Sequence, residues 1–299
     1  MSHRYILADV FTDRRFGGNP LAVFPDAAEI PGELMQLIAT ELNLSETCFL
    51  ARTRADRWDL RIFTPRVELP FAGHPTVGSA CVLAAIEAID PGTDGASIIL
   101  DEKAGPITAV VRRSGRRLSA RFAVPRLPEF GPEPPSTDIL ASVISLSTPD
   151  IADDILVPKT ASAGVPFLLI PVRDRMALAR ARLNGVAWTR ELASFWAPHL
   201  YVITRDTELP RSTIRARMFA PAMGISEDPA TGAAAAATAR FLAFFHKYPE
   251  GQHHWRIEQG MEMGRPSLID VFARITGEDL SAVHVGGSTV IVGEGTIHP

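Results

Sequence analysis

Two segments of this chain are apolar almost all the way round. From Thr76 to Ala88 the residues Val77, Ala80, Cys81, Val82, Leu83, Ala84, Ala85 and Ile86 leave next to no polar face. From Thr231 to Phe245, Ala233–Ala237, Ala239, Phe241, Leu242, Ala243, Phe244 and Phe245 leave only Thr238 and Arg240. A helix of that composition is stable in water only when covered on every side. The spacing therefore predicts two central helices, each wrapped by its own sheet.

The flanks of the two helices match. Leu60-Arg61-Ile62-Phe63-Thr64-Pro65 precedes Gly73-His74-Pro75-Thr76-Val77-Gly78, and Ala216-Arg217-Met218-Phe219-Ala220-Pro221 precedes Glu227-Asp228-Pro229-Ala230-Thr231-Gly232. Alternating apolar residues before Pro65 and Pro221 read as strands, as does Tyr5–Phe11. Aligned, the copies pair His74 with Asp228, Pro75 with Pro229, Gly78 with Gly232 and Ser79 with Ala233. A repeat of half the chain is a duplicated domain rather than a solenoid. Prolines crowd Pro125–Pro135, where neither a helix nor a central strand can continue. The expected division is 1–127 and 128–299, with the last strand free to cross back. Together these readings give an α+β fold of two pseudo-symmetric halves.

Composition narrows the function. With 46% hydrophobic and 21% charged residues, the chain is neither disordered nor fibrous. Thirty basic against 34 acidic residues, net charge −4, supply no field for nucleic acid. No run of eighteen apolar residues points to a membrane span, and the N-terminus carries no secretory signal. Cys48 and Cys81 form no framework or ligand spacing. A reducing cytoplasm is expected. His253-His254 has no partner at metal spacing, and no P-loop, dinucleotide fingerprint or hydrolase elbow is present.

Helix starts carry unpaired N–H groups and about half a positive charge, so each is a seat for a small anion such as a carboxylate. His74 and Asp228 are expected at or beside the N-caps, with Pro75 and Pro229 in the first turns. Either residue alone is explained as a cap; their matched positions beside two seats point to a site in one cleft. Glu46, in Leu44-Ser45-Glu46-Thr47-Cys48 where a strand begins, reads as a strand-edge acid or, facing the cleft, as a general acid/base. Asn19 follows a Gly-Gly turn. Arg265, in Gly264-Arg265-Pro266-Ser267, is either a surface ion pair or a residue that holds an acid.

Taken together, Asp9-Val10-Phe11-Thr12 with Gly18-Asn19-Pro20-Leu21-Ala22-Val23, Ser45-Glu46-Thr47, Ala72-Gly73-His74-Pro75-Thr76, Glu227-Asp228-Pro229-Ala230-Thr231-Gly232 and Gly264-Arg265-Pro266-Ser267 resemble the PhzF family of phenazine-biosynthesis-like isomerases. The resemblance runs from about residue 5 to about residue 293. It implies the diaminopimelate-epimerase fold and a homodimer working without cofactor or metal. It also implies proton transfer on a small carboxylate-bearing substrate, as in isomerisation of trans-2,3-dihydro-3-hydroxyanthranilate. By the same resemblance Glu46 is the proton carrier, assisted by His74 and Asp228. Gly73, Pro75, Thr231, Gly232 and Ala233 bind the substrate, with Asn19 and Arg265 beside them. Cysteine-dependent relatives on this fold place a cysteine in each repeat loop. Neither loop here has one, so a one-carboxylate shuttle replaces two-thiol racemisation. The family usually has serine where this chain has Ala233, and loss of that hydroxyl keeps a second reading open: a catalytically silent acid-binding protein.

Overall fold

From Ala96 to Glu102 burial alternates, with Ile98, Leu100 and Glu102 turned inward. That period of two makes a strand with one covered face. The computed structural model describes residues 2–151 and 156–298. It divides into two compact units, Met1–Ala123 with Gly286–Pro299, and Val124–Val285.

In chain order the elements of the first unit are β1 (His3–Val10), β2 (Asn19–Phe24), α1 (Gly32–Leu42), β3 (Glu46–Arg54), β4 (Arg57–Phe63), β5 (Glu68–Leu69), α2 (Gly73–Ala85), β6 (Ala96–Glu102), β7 (Gly105–Ser114) and β8 (Arg117–Ala123). The second unit holds β9 (Glu129–Phe130), α3 (Thr137–Val143), β10 (Lys159–Ser162), β11 (Pro166–Pro171), α4 (Arg175–Arg180), α5 (Gly185–Glu191), β12 (His199–Thr204), β13 (Ile214–Ala220), β14 (Ile225–Asp228), α6 (Gly232–His246), β15 (Gly251–Gln259) and β16 (Ser267–Thr276). The last strand, β17 (Asp279–Ile297), begins in the second unit and ends in the first.

In the first unit the strands close on themselves. β1 pairs antiparallel with β2, β2 parallel with β3, β3 antiparallel with β4 and β4 parallel with β6. β6, β7 and β8 follow as an antiparallel run, and β17 joins β8 back to β1. Closure leaves these strands no open edge. α2 runs inside the ring against β1, β2, β3, β7 and β8, and every residue from Gly73 to Ala84 is buried. The fit is tight at Gly78, where a Cβ would lie 2.5 Å from Leu21 Cδ2 and 2.7 Å from Val10 Cγ2.

The second unit carries a sheet in the order β9-β10-β11-β12-β13-β15-β16, with β14 folded onto β13. α6 packs against β9, β10, β11 and β16. Leu168, Ile170, Leu200 and Val202 join Leu140, Val143, Leu178 and Leu192 of the α3–α5 region in a separate apolar cluster.

Both central helices exist, but their limits differ from expectation. α2 starts at Gly73 rather than Thr76, because the first-turn amides have no intrahelical acceptor and Pro75 costs nothing there. It stops at Ala85, where Glu87 turns left-handed at φ 61°. The N-caps are Ala72 and Thr231, neither with a side-chain cap bond. His74 is therefore inside the first turn, and Asp228 ends β14 instead of capping α6. By helix position Gly73 matches Gly232 and His74 matches Ala233, whereas Gly78, aligned with Gly232 by sequence, lies in the second turn.

Candidate active site

In the first unit the parallel pairing of β2 with β3 sets Leu21 opposite Glu46, the first residue of β3. Glu46 is buried, as are Asn19 at the start of β2 and Gly73, His74 and Pro75 in the first turn of α2. Glu46 Oε2 lies 3.3 Å from His74 Nε2. The ring nitrogen is not aligned for a hydrogen bond in this arrangement, so burial governs the imidazole. It pushes the His74 pKa down to about 3, and the ring is neutral at physiological pH. A carboxylate beside a neutral imidazole, both out of water, is a pair between which a proton can pass. The Cys48 thiol on β3 is buried and its pKa raised, chiefly by burial; Ser79 opposes the shift, while Glu102 and Glu46 add to it. A buried thiol held protonated is no nucleophile.

In the second unit Asp228 is also buried, and it is held from two sides. The Thr231 hydroxyl donates to Asp228 Oδ2 in a very short contact. Gln259 Nε2 donates to the Asp228 carbonyl at 2.7 Å and to Thr231 Oγ1 at 3.0 Å. Its Oε1 accepts from the Thr231 amide at 3.2 Å and from the Tyr201 hydroxyl at 3.0 Å. Burial, helped by the Asp228 charge, pushes the Tyr201 phenol up, so it stays a donor. Gly232 and Ala233 follow as the first residues of α6, and Ala233 is half-buried.

Arg265 enters through its backbone. Gly260, at φ 75°, starts the turn in which the Arg265 amide donates to the Gly260 carbonyl at 2.9 Å. A Cβ on Gly260 would lie 2.5 Å from Arg265 O and 2.6 Å from Pro229 O. The 260–265 turn is thus seated on the loop between Asp228 and α6.

Sequence reasoning missed Gln259 and Tyr201. Tyr201 is a polar-tipped residue inside the apolar strand β12, which is the signal that could have flagged it, whereas Gln259 ends β15, where polar residues are common, and carries no such signal. It also missed Arg217, which donates to both oxygens of Glu227 at 2.8 Å and so pins β14 next to Asp228. His253 and His254 are occupied by the Pro249 carbonyl and by Asp270, each at 2.7 Å. Among the described residues no group of three or more His, Cys, Asp or Glu side chains is placed to hold a metal ion, and no helix is long and apolar enough to cross a membrane.

Comparison with known proteins bears on the family and the fold. A family model described as "Phenazine biosynthesis-like protein" matches residues 8–295. An uncharacterized isomerase of Mesorhizobium japonicum is 40% identical over 99% of both chains. The trans-2,3-dihydro-3-hydroxyanthranilate isomerase of Pseudomonas aeruginosa is 34% identical over 98% of both. The crystal structure of a PhzF-family phenazine biosynthesis protein from Bacillus anthracis superposes with a TM-score of 0.92 over 100% of both chains, at 24% identity. The fold is the diaminopimelate-epimerase type.

Proposed function

The chain belongs to the PhzC-PhzF family of phenazine biosynthesis-like proteins and is an isomerase, and we propose that it moves a proton on a small carboxylate-bearing substrate without a cofactor. The observation that carries this reading is the buried contact between Glu46 and His74 at the start of α2. Glu46 takes a proton from a carbon conjugated to the substrate carboxylate and returns it to another carbon on the same face. Negative charge spreads onto the carboxylate as the proton leaves. The Gly73 and His74 amides, aimed outward from the helix start, stabilise it there; such preorganised donors act most strongly where charge develops. Neutral His74 supplies or accepts a hydrogen bond without competing for the proton. In the second unit, the Gly232 and Ala233 amides at the start of α6 form a carboxylate seat of their own, beside Asp228 held by Thr231 and Gln259.

Ala233 favours a substrate other than the dihydro-hydroxyanthranilate named for the Pseudomonas relatives, because the first turn of α6 offers no hydroxyl there. It is also the observation behind a second reading, an acid-binding protein without turnover. Deuterium incorporation from heavy water, followed by mass spectrometry over a panel of small amino and hydroxy acids that includes the dihydro-hydroxyanthranilate, separates the two. Exchange by the native protein should fall by about 10²–10⁴ in Glu46→Gln and persist after dialysis against a chelator. Undiminished exchange in Glu46→Gln would sink the shuttle. Saturable binding with no exchange on any compound would establish the silent binder.

A further inference from the structure

One buried acid has no part in that chemistry. Glu102 ends β6 on its inward face and is buried beside the start of α2. Its Oε1 lies 2.7 Å from Thr76 Oγ1, and Thr76 Oγ1 lies 2.8 Å from the carbonyl oxygen of Ala72, the N-cap of α2. A threonine hydroxyl has one hydrogen, and a carbonyl oxygen can only accept. Bonding back to the carbonyl four residues earlier uses that hydrogen. Thr76 Oγ1 and Glu102 Oε1 then face each other with no proton between them unless the carboxyl supplies one. Glu102 Oε2 is buried without a hydrogen-bond partner, a costly place for half a negative charge.

Among the described residues no cation compensates. β3 contributes Cys48, whose thiol feels Glu102 and Glu46 alike. α2 contributes His74, which is neutral, and β7 places Gly105 opposite Glu102. Lys103 turns to Glu68 at 3.6 Å, and Arg57 is engaged by Asp101, the preceding residue of β6.

We propose that Glu102 is a neutral carboxylic acid at physiological pH, donates its proton to Thr76 Oγ1, and thereby positions the Ala72–Thr76 turn that carries Gly73 and His74. Burial agrees with the proton count: it raises the Glu102 pKa from 4.5 to about 8, against the opposing pull of Thr76 and the Ala72 backbone. Ionisation above that pH removes the donor and sets a negative charge beside the turn, which loosens the carboxylate seat. That last consequence rests on the function proposed above; the protonation state does not.

The linkage has a definite sign. Between pH 4.5 and about 8 the folded chain keeps a proton that the unfolded chain has lost. Stability from this group is therefore complete below pH 4.5, is lost as pH rises toward 8, and changes no further above it. Glu102→Gln keeps the shape and an N–H donor but cannot titrate.

Carbon-13-edited infrared spectroscopy of glutamate-labelled protein should show a protonated-carboxyl stretch at pH 7 that is absent in Glu102→Gln and titrates near pH 8. In urea, the unfolding constant of the native protein should rise relative to that of Glu102→Gln by up to about tenfold per pH unit from pH 5 to 8, then run parallel. Absence of the band, or parallel curves throughout, would overturn the proposal. If Glu102→Gln does not fold, the infrared titration of the native protein decides alone. A retained band in a protein that exchanges no deuterium would count against the proposed function and leave Glu102 as described.

Discussion

The proposed proton transfer turns on keeping two adjacent groups in complementary states. His74 is neutral because burial removes the water an imidazolium needs, and the group keeps its proton only below about pH 3. Its pKa in the unfolded chain is near 6.5, so the folded state binds fewer protons between those values. Stability from this group is therefore present above pH 6.5 and is lost as pH falls toward 3. His74→Gln should remove that loss: in urea titrations from pH 7 to 4, the native protein should weaken relative to the variant by up to about tenfold in unfolding constant per pH unit. At Ala233 the missing hydroxyl is testable in the opposite direction. Ala233→Ser should tighten binding of a small carboxylate ligand by about 0.5–1.5 kcal/mol, read by calorimetry, with no change of fold. Gln259 makes a harsher case, since leucine there strands the Asp228 carbonyl, the Thr231 amide and the Tyr201 hydroxyl. We expect Gln259→Leu to cost about 2–4 kcal/mol by urea unfolding and to abolish exchange even though it touches no proton carrier. His74 and Asp228 were legible in the sequence as residue types beside two apolar helices, and Glu46 as an acid where a strand begins. Gln259 was not, because what distinguishes it is four hydrogen bonds to residues distant along the chain.

The helices and the loops that launch them set where those residues stand. α2 and α6 were readable as buried because each is apolar around its whole circumference. Their starts differ from expectation: the helices were expected to run from Thr76 and Thr231 with His74 and Asp228 at or beside the N-caps, whereas glycine opens both helices and Ala72 and Thr231, without side-chain cap bonds, precede them. The physical reason is that the first turn needs no intrahelical N–H acceptors, so Gly-His-Pro can be helical despite its composition. Two glycines test the elements directly. Gly78→Ala adds a methyl inside van der Waals contact with Leu21 and Val10 and should destabilise by about 1–3 kcal/mol through overpacking, seen in Tm. Gly260→Ala combines positive φ with two backbone oxygens closer than 3 Å; about 1–3 kcal/mol of strain should appear as a lower Tm together with weaker substrate binding, because the same turn rests on Pro229.

At the level of the whole chain, closure of the first unit depends on its far end. Residues 286–297 of β17 supply the strand that joins β8 to β1, although they lie more than 160 residues beyond Ala123. Truncation after Val285 should leave β1 and β8 as bare edges around an exposed apolar α2, and we expect loss of cooperative unfolding by circular dichroism rather than a modest drop in Tm. The sequence by itself determined that there are two related halves, that each buries one helix, and which motifs announce the family, since all of these are written in local periodicity and in short runs of residues. It also showed that neither repeat loop has a cysteine. Only the tertiary structure decided that Glu46 meets His74, that Gln259 and Thr231 hold Asp228, and that Glu102 reaches Thr76 with one proton too few. Those meetings depend on strand register and on the depth at which a helix sits in its ring: a shift of one residue turns a strand's side chains to the opposite face and a helix's by about 100°.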